Sequence, residues 1–216
     1  MCEIAIRLYL TPVSIKDRNC AKIERKSEEM NMEKNRRDFP LEWVSLSRNG
    51  DHDAMESLYE YFKTSFYGLA YRYTYDSAAA EDLLQDIFIK IFTNLKDLDK
   101  DEAFTGWAYR IAVNTCLSYL RHRKMKLKKS VSWQNIEPFL ADEESGDPEK
   151  LIKNSLEEAL RGISAKLKSV FMLHDVQGFK HKEIARIMGC SEGTSKSQLF
   201  KARMKIRKYL EIKQVI

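Results

Sequence analysis

The 216-residue chain is long enough for one large domain or two small ones. Hydrophobic residues at 44% suffice for real cores, and 32% charged residues leave a solvated surface. The net charge of +5 conceals basic blocks at Arg121–Lys129 and Lys196–Lys208 and an acidic one at Glu137–Glu149. Such blocks suit contact with phosphates or anionic lipid, with a plain solvated face as the alternative. No apolar run approaches the roughly 18 residues needed to cross a bilayer. The start, MCEIAIRLYLTPV, carries Glu3 and Arg7 within its apolar run and makes a poor signal peptide. Cys2, Cys20, Cys116 and Cys190 lie far apart with no C-x-x-C pair, and the last two sit inside helical patterns. Reduced thiols and a cytoplasmic protein are expected.

Residues 1–38 are charged after Pro12 and show no sustained apolar period, so a disordered extension is expected. Met30 and Met32 directly precede the first patterned segment, and translation is expected to start at one of them. LEWVSLSRNG reads as a short helix stopped at Asn49-Gly50. Asp51 or Asp53 then caps a helix with Met55, Leu58, Tyr59, Phe62, Phe66 and Leu69 at helical spacing. Its many rings read as core and partner surface rather than as a base-stacking platform.

Asp76-Ser77 ends that helix and caps the next, Ala78–Leu95. There Leu83, Leu84, Ile87, Phe88, Ile91, Phe92 and Leu95 form one apolar stripe. The opposite face holds Asp82, Gln85, Asp86 and Ile89, an acidic strip with one apolar residue that suits docking of a basic partner helix. Phe104–Lys124 follows, burying Tyr109, Ala112, Val113, Cys116, Leu117 and Leu120. Trp107, Arg110, Asn114, Ser118 and Arg121 share another face, and an aromatic, a guanidinium, an amide and a hydroxyl in line can contact bases and phosphates. The run containing Arg123 and Lys124 extends that face with phosphate-seeking charge; the alternative is an ordinary amphipathic helix with a solvated tail.

Residues 130–149 carry two prolines, a glycine and many acids, the composition of a flexible linker. A second domain begins near residue 150. Two helices, LIKNSLEEALRGIS and AKLKSVFMLHDVQGF, lead to the short helix HKEIARIM, a turn at Gly189-Cys190-Ser191, and the basic helix EGTSKSQLFKARMKIRKYL, which Ser191 caps. Helix, glycine turn and helix make the helix-turn-helix pattern, whose second helix enters the major groove. Ser195, Leu199, Ala202 and Ile206 face inward, Lys196, Ser197, Phe200 and Lys201 outward, and Arg203 is placed for backbone contact.

The predicted fold is all-α: two small helical domains joined by a flexible acidic linker, the second a helix-turn-helix (winged-helix-like) DNA-binding domain. The boundaries read as 1–38 extension, 39–129 first domain, 130–149 linker and 150–212 second domain.

AAAEDLLQDIFIKIF followed by FTGWAYRIAVNTCLSYLRHRK resembles region two of bacterial sigma factors, and LKSVFMLHDVQGFKHKEIARIMGCSEGTSKSQLFKARMKIRKYL resembles region four. Their joining by a short linker is similar to the extracytoplasmic-function group. The resemblance implies a promoter-specificity subunit. Asp82, Gln85, Asp86 and Ile89 would meet the clamp coiled coil of the polymerase largest subunit. The Trp107–Arg121 face, with Arg123 and Lys124, would engage and help open the minus-ten element. The connection Thr93–Ala103 would hold a flipped base. Lys196, Ser197, Phe200, Lys201 and Arg203 would read the minus-thirty-five element, while that domain touches the polymerase flap. An anti-sigma partner, in some relatives membrane-bound, is also expected.

Three residues depart from the family pattern. Ser195 replaces a branched apolar residue, which implies looser packing under the reading helix; Gln198 replaces an arginine; Ser118 replaces an aspartate. Two rival functions were open on the residues alone. One is a simple helix-turn-helix regulator. The other is an enzyme using Asp82 and Asp86, four apart on one helix, to share a magnesium ion. No P-loop, H-E-x-x-H or nucleophile motif accompanies them and the histidines are scattered, so neither catalysis, metal nor cofactor is expected.

Overall fold

The structure, a computed structural model, describes residues 39–129 and 148–213, with side chains over 39–125 and 154–213. The extension with Met30 and Met32, and residues 130–147 of the expected linker with Trp133 and Phe139, lie outside the described residues, while positions 148 and 149 are helical. Helix α1, Glu42–Arg48, ends at Asn49, and Gly50 follows at φ +89, a left-handed conformation that a side chain would strain. Helix α2, His52–Thr74, starts at Asp51, whose carboxylate accepts from the Ala54 amide at 2.8 Å; of the two candidate caps it is Asp51 that serves. Helix α3, Ser77–Thr93, is capped by Asp76 in the same way.

Two 3-10 turns, Leu95–Asp97 and Asp101–Ala103, lead into α4, Phe104–Lys129, a turn longer than the sequence pattern suggests. Together α1 to α4 bury the apolar stripes read from the sequence. Phe62 meets Phe104 and Phe66 meets Tyr109 edge to face, Phe66 and Phe88 are tilted, and Phe62 stacks on Phe66, geometries that add to the area they bury. Cys116 lies fully buried in this core, and burial pushes its thiol up to about 12, so it stays protonated.

The second group comprises α5 (Pro148–Gly162), α6 (Ala165–Phe171), α7 (His181–Met188) and α8 (Glu192–Ile212). The sequence suggested one continuous helix from residue 165 to the glycine at 178. Instead α6 widens into a π-turn at Met172–Val176, where the Gln177 amide reaches back to the Met172 carbonyl. Gly178 at φ +69 then redirects the chain into α7. No strand occurs among the described residues.

The two groups share a continuous buried core. Helix α4 packs on α7, and Tyr109 stacks edge-on with Phe179 at 4.9 Å while its hydroxyl donates to Gln177 Oε1. Helix α2 ends against α5 and α6. Tyr75 caps it in a left-handed conformation, φ +53, uncommon for a residue with a Cβ.

Candidate functional site

Three surfaces predicted from sequence can be located. On α3, Asp82, Gln85, Asp86 and Ile89 lie together and exposed, with Ile89 63% accessible. Leu83, Leu84, Ile87 and Phe88 on the opposite side anchor the helix, so the acidic strip rests on a fixed support.

On α4, Arg110, Asn114, Arg121, Arg123 and Lys124 are exposed and Trp107 and Ser118 half-buried. Trp107 leans on Phe104 at 6.1 Å, which orients the indole at the start of the strip. Ser118, standing where an aspartate is common, accepts from Arg121 Nη2 at 2.9 Å. A hydroxyl holds that guanidinium without neutralising it.

The connection between α3 and α4 is organised by a residue that sequence reasoning missed. Arg48, 47 positions upstream, donates through Nε to the Leu95 carbonyl at 3.4 Å and through Nη2 to the Leu98 carbonyl at 3.1 Å. It also pairs with Asp101 at 2.6 Å. With Leu95 and Leu98 buried, the loop is pinned from below, and Thr93, Asn94, Lys96, Asp97, Asp99 and Lys100 are exposed above. No local signal in the sequence links Arg48 to this loop.

The third surface is α8. Gly189 closes α7 at φ +62, and Ser191 caps α8 by accepting from the Thr194 amide at 3.0 Å, as the sequence predicts. Ser195, Leu199, Ala202 and Ile206 are buried; Lys196, Ser197, Phe200 and Lys201 are exposed, Phe200 by 67%. Ser195 does not loosen the motif, because its hydroxyl lies 2.9 Å from His181 Nδ1 and ties the two helices together. Burial, with His174, Lys196 and Arg203 nearby, lowers the His181 pKa, so that bond is made by a neutral ring near neutral pH.

Arg203 is turned partly inward. Its guanidinium donates to both oxygens of Asp175, which the π-turn presents from beneath and which also accepts from His174 Nδ1. Burial alone would raise the Asp175 carboxyl, but hydrogen bonds from His174 and Arg203 outweigh it and hold the group below its usual range. A single acid inside the apolar run VFMLHDV was the available signal for such a pair.

Comparison with known proteins agrees with this arrangement. The Sigma-70 region 2 family matches residues 58–125 and the Sigma-70, region 4 family matches residues 153–206. The RNA polymerase sigma-H factor of Pseudomonas aeruginosa is 30% identical over 177 residues, covering 78% of this chain and 92% of that protein. The ECF RNA polymerase sigma-E factor of Escherichia coli K12 is 33% identical over 172 residues, covering 74% and 88%. Among solved structures, the sigma factor RpoE in complex with the anti-sigma factor NepR from Bartonella quintana superposes with TM-score 0.59 at 23% identity, covering 73% of this chain and 96% of that one. CnrH in complex with the cytosolic domain of CnrY gives TM-score 0.59 at 18% identity, covering 80% and 97%. Two region models in the expected order, matched by full-length relatives, leave one assignment: the chain belongs to the extracytoplasmic-function group of sigma-70 factors, the promoter-specificity subunits that direct RNA polymerase to initiate transcription.

Proposed function

We propose that this sigma factor divides its work among the three surfaces above. Residues 39–129 act as region two, 150–212 as region four, and 130–149 as the connection between them. Asp82, Gln85, Asp86 and Ile89 dock on the clamp coiled coil of the polymerase largest subunit; their joint exposure on a buried-backed helix supports this. Trp107, Arg110, Asn114, Ser118, Arg121, Arg123 and Lys124 engage the minus-ten element, and the loop pinned by Arg48 receives a flipped base from it. Lys196, Ser197, Phe200 and Lys201 read the minus-thirty-five element from the major groove, while that domain touches the flap. Arg203, bound to Asp175, supports the reading helix and offers only its outer edge to phosphate.

The chain has no catalytic activity of its own and works in the cytoplasm, where the polymerase is; among the described residues no helix is long and apolar enough to cross a membrane. The sigma factor RpoE of Bartonella quintana is solved in complex with the anti-sigma factor NepR, which supports a similar inhibitor for this chain, one that is membrane-bound or free.

The observation that carries the proposal is the pairing of an exposed acidic docking strip with a separate Trp-basic helix in one half and a helix-turn-helix in the other. The test adds purified protein to core polymerase on a library of supercoiled promoters. Initiation at a discrete subset, dependent on the protein, is the expected result. Tight operator binding by the free protein without any initiation would instead make it a simple helix-turn-helix regulator.

A further inference from the structure

We propose that Glu192, the first residue of the reading helix α8, determines specificity in the minus-thirty-five contact: paired with Lys196, its carboxylate selects a C·G base pair. The proposal rests on the promoter-reading role of α8 given above and names one base pair that it reads.

The N-terminal residues of a recognition helix are the ones that reach base edges. Glu192 is exposed there, one turn before Lys196, and Lys196 Nζ lies 2.9 Å from its Oε1. The first turn is fixed without it. Ser191 Oγ accepts from the Thr194 amide at 3.0 Å and lies 2.9 Å from Thr194 Oγ1, so the cap does not call on Glu192. The hydrogen bond from Lys196, and then its charge, hold the Glu192 carboxyl below its usual range, with His181 and Lys182 adding to the effect. An anion is thus kept ionised on a surface that otherwise exposes Lys182, Lys196 and Lys201.

An acid at that place weakens binding to DNA in general, since it neutralises Lys196 and repels phosphate. It helps only where a base offers it a donor. In the major groove the cytosine N4 amino group donates to carboxylates, and guanine O6 and N7 accept from lysine. Within one C·G pair, N4 and O6 are hydrogen-bonded to each other, about 2.9 Å apart. The Glu192 and Lys196 charges have that same 2.9 Å separation. The ion pair can therefore lie along the edge of one base pair, carboxylate to N4 and ammonium to O6, without breaking.

Guanine N7 then gives the ammonium a second acceptor. An A·T pair in the same orientation keeps the order of donor and acceptor but sets the thymine methyl where N7 would be. The reversed pairs, G·C and T·A, place an acceptor against the carboxylate. Rejection of these pairs contributes as much to the choice as attraction to the right one.

The test measures initiation by holoenzyme, formed with the full-length protein, on promoters in which each base pair of the minus-thirty-five element is varied in turn. With the wild type, one position should favour C·G about tenfold over the two reversed pairs. Glu192→Ala should abolish the preference at that position alone. Glu192→Gln, whose amide suits adenine N6 and N7, should move it toward A·T and guards against misfolding of the alanine variant. Lys196→Met should flatten the same position, because both side chains meet one base pair. Positions that respond to Lys201→Ala should keep their preference in Glu192→Ala, as expected of a helix still folded and docked. An equal gain on every promoter with Glu192→Ala would make the residue a surface charge only and end the proposal. Flattening at a different position by Lys196→Met overturns the shared base pair. A wild type indifferent to every minus-thirty-five substitution refutes the reading role of α8 itself, whereas sequence preferences that Glu192→Ala leaves intact refute this proposal alone.

Discussion

Lys201 and Arg203 leave the same helix two residues apart and end in different surroundings. Lys201 stands free of the core, and Lys201→Ala should weaken minus-thirty-five-dependent initiation by about 1–3 kcal/mol if it reads a base. A uniform loss across promoters would mark it as a phosphate contact instead. Arg203 closes onto Asp175, so Asp175→Asn should destabilise the second half by about 2 kcal/mol in thermal unfolding, with little change in base preference. Because the Asp175 carboxyl is held below its usual range, its stabilising effect is present above the unfolded value and lost as pH falls through the lowered one. The outward position of Lys201 was legible from the helical period. The turning of Arg203 was not, since it depends on a π-turn that shifts Asp175 from 28 residues away.

At the scale of elements, α3 and the loop after it respond to separate substitutions. Asp86 lies on the exposed strip, and Asp86→Lys should weaken core-polymerase binding about tenfold in a competition assay while leaving duplex binding by α8 intact. Unchanged core binding would remove the strip from the docking role. Arg48→Ala takes away the donor that holds the Leu95 and Leu98 carbonyls and the partner of Asp101. It should slow promoter opening, followed as permanganate reactivity of unpaired thymines, more than it lowers core affinity. The helices, their caps at Asp76 and Ser191, and their buried faces follow from short-range pattern, which is why sequence located them. The loop's shape comes from a side chain 47 residues upstream, a contact that periodicity does not encode.

For the whole molecule, sequence separated two helical halves but left their mutual placement open. The faces that join them are ordinary helix surfaces carrying Arg72, Tyr109, Lys168 and Ser169, and nothing in the local pattern marks them as an interface. Their chemistry predicts a pH response. Burial, with Arg161 and Arg72 adding to it against the attraction of Glu157, lowers Lys168 from its usual 10.5 to about 8. The packed halves therefore bind fewer protons there than separated ones would, so their association is indifferent to pH below about 8 and strengthens as pH rises above it. Burial raises the phenols of Tyr73 and Tyr75, and this opposes the association only above the ordinary tyrosine range near pH 10. Scattering between pH 8 and 10 should show wild-type protein contracting and Lys168→Met staying unchanged.

The division of labour between two DNA-reading surfaces is tested most directly by footprinting polymerase holoenzyme on one responsive promoter with wild-type protein, Arg110→Ala and Lys201→Ala. Two protected patches about 25 base pairs apart are predicted for the wild type, about 85 Å along the duplex. Arg110→Ala should thin the downstream patch alone, and Lys201→Ala the upstream patch alone. Equal loss of both patches in either variant, or full protection by the free protein without polymerase, would contradict the account.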